Sequence, residues 1–270
     1  MSSSNVIKLL FAEEHLSASA IGKYLRCPRS YRYRYVEHRI PETRASALVF
    51  GGAIHTALAH FYSAHRNVQK EPDLAELCDV FRGAWAENLD DGPPVLFGED
   101  ESADKLTDMG VAMLGTFLKK APFYREVVEV EMPFSVELAD PETGEVLPRL
   151  VGVFDAVVRE QDGGFAVLEH KTSAKRWTEW KLAFDNQLTV YSLAAPQLGF
   201  GDDATVVVQV LLKQKTLDLV LYRPTRTDAD RRDLVDIVRG ITRAVRAEAF
   251  HPCREWWCRS CEYASACVAG

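Results

Sequence analysis

Two apolar segments joined by a short turn constrain this chain more than anything else in it. Leu150 to Val158 and Phe165 to His170 are linked by Gln161-Asp162-Gly163-Gly164, whose glycines suit the positive φ of a hairpin turn. Each segment carries charge that its neighbours do not prepare for. Asp155 follows Val151, Val153 and Phe154, and Glu169 follows Phe165, Val167 and Leu168. Charges at the ends of otherwise buried strands usually have a partner or a metal. Antiparallel pairing brings Asp155 and Glu169 to the same end of a sheet. Because side chains alternate along a strand, Glu169 and Lys171 share a face while His170 points away.

The rest of the chain is read by period. Ser17 or Ser19 caps a helix whose apolar positions Ile21, Tyr24 and Leu25 run up to Cys27-Pro28. Gly51-Gly52 precedes a helical stripe from Ala53 to His65, carried by Ile54, Leu58, Phe61 and Tyr62. Further helical patterns cover about Asp73 to Asn88 and Ser102 to Lys120, so residues 53–122 read as a helical insertion. From Val127 the period becomes two, with Val128, Val130, Met132, Phe134 and Val136 alternating with polar neighbours. A helix from about Trp180 to Ala195, strands near Val206 to Leu212 and Leu217 to Tyr222, and a helix from Asp228 to Ala249 follow. This order predicts an α/β chain with a mixed central sheet flanked by helices. Asp90 to Asp100 reads as a long loop.

With 270 residues, 47% hydrophobic and 26% charged, the chain can bury one large core, and residues 1–270 read as a single domain. No apolar stretch approaches the roughly 20 residues a membrane span needs, and Met1 to Leu10 lacks a basic region followed by a long apolar core. The expectation is a cytoplasmic protein without membrane contact. In a reducing cytosol, cysteines clustered as Cys27, Cys258, Cys261 and Cys267 suggest a metal site or redox centre rather than disulfides. Cys78 stands apart as an ordinary helix residue. A net charge of −7 argues against indiscriminate coating of nucleic acid. It leaves room for a local track, because Lys23, Arg26, Arg29, Arg32 and Arg34 alternate with Tyr24, Tyr31, Tyr33 and Tyr35. That segment is either a strand-guiding surface or a solvated helix face over buried tyrosines.

Converging carboxylates such as Asp155 and Glu169 suit a hard divalent cation that keeps waters and leaves room for a phosphate. Lys171 on the same face would orient the nucleophile and offset charge developing on phosphorus. Taken singly, Asp155 is a solvent-facing strand residue and Glu169 with Lys171 a surface ion pair; the apolar flanks argue against both. His55 is a core histidine or a nitrogen ligand favouring manganese. Gln187 and Tyr191 lie four apart, hence on one helix face.

The series Gly52-x-x-His55, Gly152-x-x-Asp155, Glu169-x-Lys171 and Gln187-x-x-x-Tyr191 resembles the RecB-type branch of the PD-(D/E)XK nuclease superfamily. Leu16-Ser17-Ala18-Ser19 through Tyr24, Cys27-Pro28 and Tyr31 resembles its iron-sulfur members, the CRISPR-associated exonucleases and AddB-like recombination nucleases. The resemblance spans Leu16 to Cys267 and implies a restriction-endonuclease-like core with a Cys cluster joining the termini. It implies that His55, Asp155, Glu169 and the carbonyl of His170 bind Mg²⁺ or Mn²⁺, that Lys171 is catalytic, and that Gln187 and Tyr191 support the site. Glu129 or Glu131 stands where some relatives carry a helper acid. Cys258-x-x-Cys261-x5-Cys267 with Cys27 matches the ligands of a [4Fe-4S] cluster, a structural zinc being the alternative and Cys253 a substitute ligand. Residues 251–270 with Cys27 would then form an iron-sulfur subdomain. The implied activity is a metal-dependent DNA exonuclease on single-stranded ends, in repair, recombination or CRISPR-type processing. DNA with a free end is the implied substrate, and a helicase or integrase the implied partner. The alternative is a non-catalytic iron-sulfur DNA-binding or assembly module, which the intact Asp155, Glu169 and Lys171 disfavour.

Overall fold

The computed structural model describes residues 14–68 and 71–269. Met1 to Leu10, read above for a leader, lies outside the described residues. The chain opens with a short strand β1 (His15–Ser17), helix α1 (Ala18–Arg26) and helix α2 (Pro28–Tyr31), which continues as a π-helical turn over Arg32–Val36. Ser17, not Ser19, caps α1, its side chain accepting from the Ala20 amide. A two-residue strand β2 (Arg44–Ala45) leads into α3 (Ser46–Val68), α4 (Leu74–Asp90), β3 (Val95–Leu96) and α5 (Ala103–Lys120). Next come β4 (Glu126–Ala139), β5 (Val146–Arg159), β6 (Phe165–Ser173), α6 (Glu179–Ala183), α7 (Asn186–Gln197), β7 (Thr205–Leu212), β8 (Asp218–Tyr222), α8 (Asp228–Arg246) and α9 (Ala264–Ala269).

Strand β5 organises the sheet. Along one edge it pairs antiparallel with β4. It also pairs with β1, parallel, at Arg149–Val151, and with β6, antiparallel, at Ala156–Arg159. Between those two partners lies Gly152–Asp155. Strand β6 then pairs parallel with β7, and β7 antiparallel with β8, giving a mixed six-stranded sheet. Two apolar layers cover it. One joins α1, α7 and α8 to the sheet through Ile21, Leu188, Val190, Leu234 and Val238. The other joins α3, α4 and α5 through Phe50, Ile54, Phe81, Met113 and Phe117. The helices of residues 46–120 therefore share a core with the sheet rather than forming one of their own.

Local features depart from the sequence reading, among them the long loop read over Asp90 to Asp100, which contains β3 because Arg44–Ala45 of β2 pairs with it in parallel. The short strand β1, invisible to a period count over three residues, exists because β5 offers it an edge. The helix expected from Trp180 to Ala195 is two helices, because Asp185 takes the N-cap of α7 and accepts from the Gln187 amide at 3.0 Å. Helix α3 begins at Ser46, ahead of Gly51-Gly52, which lie inside it.

Candidate active site

The gap in the pairing of β5 is where the chemistry collects. The β5–β6 register, Ala156 with Leu168, places Asp155 across from Glu169 where the ladder ends. The amide of His170 donates to Asp155 Oδ2 at 2.6 Å. His55, from α3, lies with Nδ1 3.4 Å from Asp155 Oδ1. Gly152 is required just upstream, because a Cβ there would stand 2.5 Å from the buried Phe134 ring.

Glu169 is 1% exposed, and its two oxygens have different fates. Oε1 is paired with the Lys171 ammonium. Oε2 is buried and has no hydrogen-bond partner among the described residues. Burial and the nearby Asp155 carboxylate raise the Glu169 carboxyl to about 7, against the pull of Lys171. Burial also opposes charge on Asp155, but His55 and the His170 amide hold it below the ordinary aspartate value. Burial opposes charge on His55 as well, and Asp155 outweighs it, leaving the imidazole above its usual pKa.

Lys171 heads a relay of donors. Its Nζ donates to Gln187 Oε1 at 3.0 Å, Gln187 Nε2 donates to Tyr191 Oη at 2.9 Å, and Tyr191 donates to the Val153 carbonyl at 2.6 Å. The relay closes inside the gap of β5. Burial opposes the Lys171 charge, but Glu169 more than compensates and keeps the ammonium protonated.

Glu131 and Glu129 have separate surroundings. Glu129 makes a two-pronged ion pair with Arg66 at 2.8 and 3.1 Å. Glu131 instead offers an oxygen to a group with His55 and Asp155 whose ligand atoms all lie within 4.8 Å of one another, close enough to hold a metal ion. Glu131 has a φ of 48°, where an L residue is strained. Although Glu131 is exposed overall, local desolvation and the Asp155 charge push its carboxyl upward.

The His170 side chain goes the other way. It is 2% exposed, stacks on Tyr62 with centroids 5.2 Å apart, and is held neutral, its pKa lowered to about 4 chiefly by burial. Beneath it Tyr62 donates to Gln209 Oε1 at 3.1 Å and Gln209 donates to Tyr124 at 3.0 Å. Sequence reasoning missed this buried network, and Gln209 amid the valines of β7 was its only signal.

The profile of the PD-(D/E)XK nuclease superfamily matches residues 15–268. The chain belongs to that superfamily. Its mixed sheet flanked by helices is the restriction-endonuclease-like arrangement. In fold the superfamily member is similar to the crystal structure of a provisionally named exonuclease from Eubacterium rectale, with a TM-score of 0.59 at 13% identity over 98% of this chain and 92% of the other. The crystal structure of SSO0001 aligns over 98% of this chain and 91% of its own at 15% identity, with a TM-score of 0.46. At these identities the likeness concerns fold alone, and only the first score bears on it. No curated protein matches in sequence.

Five thiols gather around a separate cavity. Cys27, Cys253, Cys258, Cys261 and Cys267 line one cavity of about 420 Å³. Cys78 is buried in α4, apart from them. The tyrosines interleaved with basic residues near Cys27 are structural. Tyr24, Tyr31 and Tyr33 are buried, Tyr31 packs against both Tyr24 and Tyr35, and Tyr33 packs on Tyr263. Of the five interleaved cations, Lys23 pairs with Glu262 and Arg32 with Glu37. The burial of Tyr24, Tyr31 and Tyr33 agrees with the second of the two readings of this segment. No helix among the described residues is long and apolar enough to cross a membrane.

Proposed function

We propose that this chain is a divalent-metal-dependent deoxyribonuclease of the RecB-type iron-sulfur branch, acting as an exonuclease on single-stranded DNA ends in the cytoplasm. The observation that carries the reading is the buried, unpartnered Oε2 of Glu169 beside Asp155. A buried carboxylate oxygen with no donor is costly unless a cation meets it. The donor set, one imidazole nitrogen and carboxylate oxygens, fits Mg²⁺ or Mn²⁺. Asp155, Glu169, His55 and Glu131 would hold it with the His170 carbonyl. Such an ion, when bound, supplies Lewis-acid stabilisation of phosphoryl charge and lowers the pKa of a water.

The chain's own residues do the rest. Lys171 presents a protonated ammonium beside Glu169, able to orient the attacking water and to offset charge developing on the phosphoryl oxygens. Gln187 and Tyr191 act through Lys171. Gln187 accepts from Lys171 and donates to Tyr191, so its amide has one workable orientation, and Tyr191 anchors it to the β5 backbone. Glu131, opposite Asp155, serves as the helper acid in place of Glu129, which Arg66 occupies.

For the cysteines, Cys27, Cys258, Cys261 and Cys267 would carry a [4Fe-4S] cluster, four thiolates being its requirement, with structural zinc the alternative. The shared cavity supports that set, and Cys253 on its wall is a fifth thiol. The role is structural, tying the N-terminal helices to residues 251–270. End-labelled single-stranded DNA, incubated anaerobically with Mn²⁺ or Mg²⁺, tests the activity. Degradation by the wild type and none by Asp155→Ala or Glu169→Ala is expected. Undiminished cutting by either variant would sink the site, and an inert, fully loaded wild type would sink the nuclease.

A further inference from the structure

Directly after the strand that carries Glu169 and Lys171, the chain presents two large aromatic rings to solvent. Trp180 and Phe184 are 73% and 72% exposed and stack face to face, with centroids 5.5 Å apart and ring planes 10° from parallel. Exposed aromatics of this size are usually withdrawn into a core. Here a frame holds them out. Thr178 caps α6 by accepting from the Lys181 amide at 3.2 Å, and the Trp177 amide donates to Tyr222 Oη at 3.0 Å. Arg226 donates to the Leu182 carbonyl at 2.6 Å and to the Asp185 carbonyl at 3.3 Å, locking the junction of α6 and α7. Trp177 is itself buried beneath Lys181, whose Nζ sits 3.9 Å above its ring.

The charge around the rings selects a polyanion. From Lys171 to Asp185 the chain carries Lys171, Lys175, Arg176 and Lys181 against the carboxylates of Glu179 and Asp185, in a protein of net charge −7. Arg176 is partly spoken for by Asp218 at 2.5 Å, whereas Lys175 makes no ion pair among the described residues. The same segment abuts the catalytic residues. Asp185 caps the helix that brings Gln187 to Lys171, and burial apart, the charges of Asp185 and Lys171 are the ones that reach Lys181.

We infer that the Trp180–Phe184 stack is a base-stacking platform that takes an unpaired nucleobase of the substrate strand, with Lys175 and Lys181 meeting the flanking phosphates. The inference rests on the nuclease reading and names the substrate feature its site selects. With both rings more than 70% exposed, a nucleobase laid against the pair would extend the existing stack. A base inside a duplex has both faces covered, so the platform discriminates for single strands and frayed ends. Stacking is tolerant of base identity, as an exonuclease that must walk through any sequence requires.

The test separates binding from cutting. Without added divalent metal, the full-length protein is titrated into a labelled oligo(dT) strand, a blunt duplex, and a strand carrying 2-aminopurine near its end. Trp180→Ala should weaken single-strand binding by roughly tenfold, leave duplex binding nearly unchanged and abolish the 2-aminopurine quenching seen with the wild type. Phe184→Ala should act in the same direction, and Trp180→Phe should recover most of the affinity. Equal binding by Trp180→Ala and wild type overturns the platform, as does an equal loss on both substrates or a wild type that leaves 2-aminopurine unquenched. Because Trp180 is exposed, its variants should unfold at the wild-type temperature. A parallel cleavage assay with Mn²⁺ keeps the two claims apart: a wild type that cuts DNA while Trp180→Ala binds and cuts as well refutes the platform and leaves the nuclease standing.

Discussion

Glu131 shows how much a single residue can be asked to hold. Its left-handed φ of 48° is a conformation that costs an L residue about 1–3 kcal/mol unless the surroundings impose it. It brings a carboxylate to His55 and Asp155. Glu131→Gly should relieve that strain, leaving urea stability unchanged or higher, while Mn²⁺ binding weakens; unaltered affinity by calorimetry would remove Glu131 from the site. The raised Glu169 carboxyl carries a pH consequence. In the metal-free protein the buried Glu169 holds a proton up to about 7 that the unfolded chain, near the ordinary 4.5, has already released. Folding stability without metal therefore falls as pH climbs through that interval. A cation must displace the same proton, so the stabilisation given by Mn²⁺ grows over that interval and levels off above it. Thermal unfolding with and without Mn²⁺ across the range checks both signs. Tyr191→Phe removes the donor to the Val153 carbonyl and the acceptor of Gln187, and should cost about 1–3 kcal/mol together with much of the turnover. A variant as stable and active as the wild type would dismiss the relay.

At the scale of elements, close packing overrules intrinsic preference. Gly110 lies in the middle of α5, where replacing glycine by alanine ordinarily gains about 1 kcal/mol. A Cβ there would stand 2.1 Å from the Phe81 ring, which is fully buried in α4 and cannot swing aside. Overpacking of this kind costs about 1–3 kcal/mol and exceeds the propensity gain. Gly110→Ala should thus lower the urea midpoint, whereas a rise would mean that α4 and α5 separate freely. The break between α6 and α7 follows the same logic. Asp185 as a cap, with Arg226 on the carbonyls on either side, ends one helix and starts the next, so Trp180 and Phe184 need not follow the buried stripe of α7.

For the molecule as a whole, the N-terminal helices and the C-terminal segment are joined by hydrogen bonds that involve no cysteine side chain. Tyr24 donates to the Ala249 carbonyl at 2.9 Å, Tyr263 to the Arg39 carbonyl at 3.2 Å, and Ser265 to Glu42 at 2.7 Å. Closing so long a loop is entropically demanding, and these bonds offset part of that cost; the proposed cluster would add to them. If the proposed cluster is bound, Cys261→Ala should bleach its visible absorption and speed amide exchange in residues 14–45 and 250–269, with the sheet protected as before. An unchanged exchange pattern would show that the terminal contacts hold without the thiols.

How much was legible follows from which interactions are local. The period change at Val127, the hairpin at Gly163-Gly164 and the alternation that sets Glu169 with Lys171 and against His170 are properties of neighbouring residues, and the chain states them outright. The superfamily was legible for the same reason, its motifs being short runs on single strands and helices. What lay beyond the sequence were choices between equivalent residues. Glu129 and Glu131 differ by two positions on one strand, and only the arrival of Arg66 from one direction and of His55 with Asp155 from another gives them different surroundings. Tyr31 and Trp180 are both aromatics beside cations, yet one is sealed by its neighbours and the other held out to solvent. Pattern along a chain fixes which face a side chain takes; what that face meets is decided by elements distant in sequence, through packing that no local period encodes.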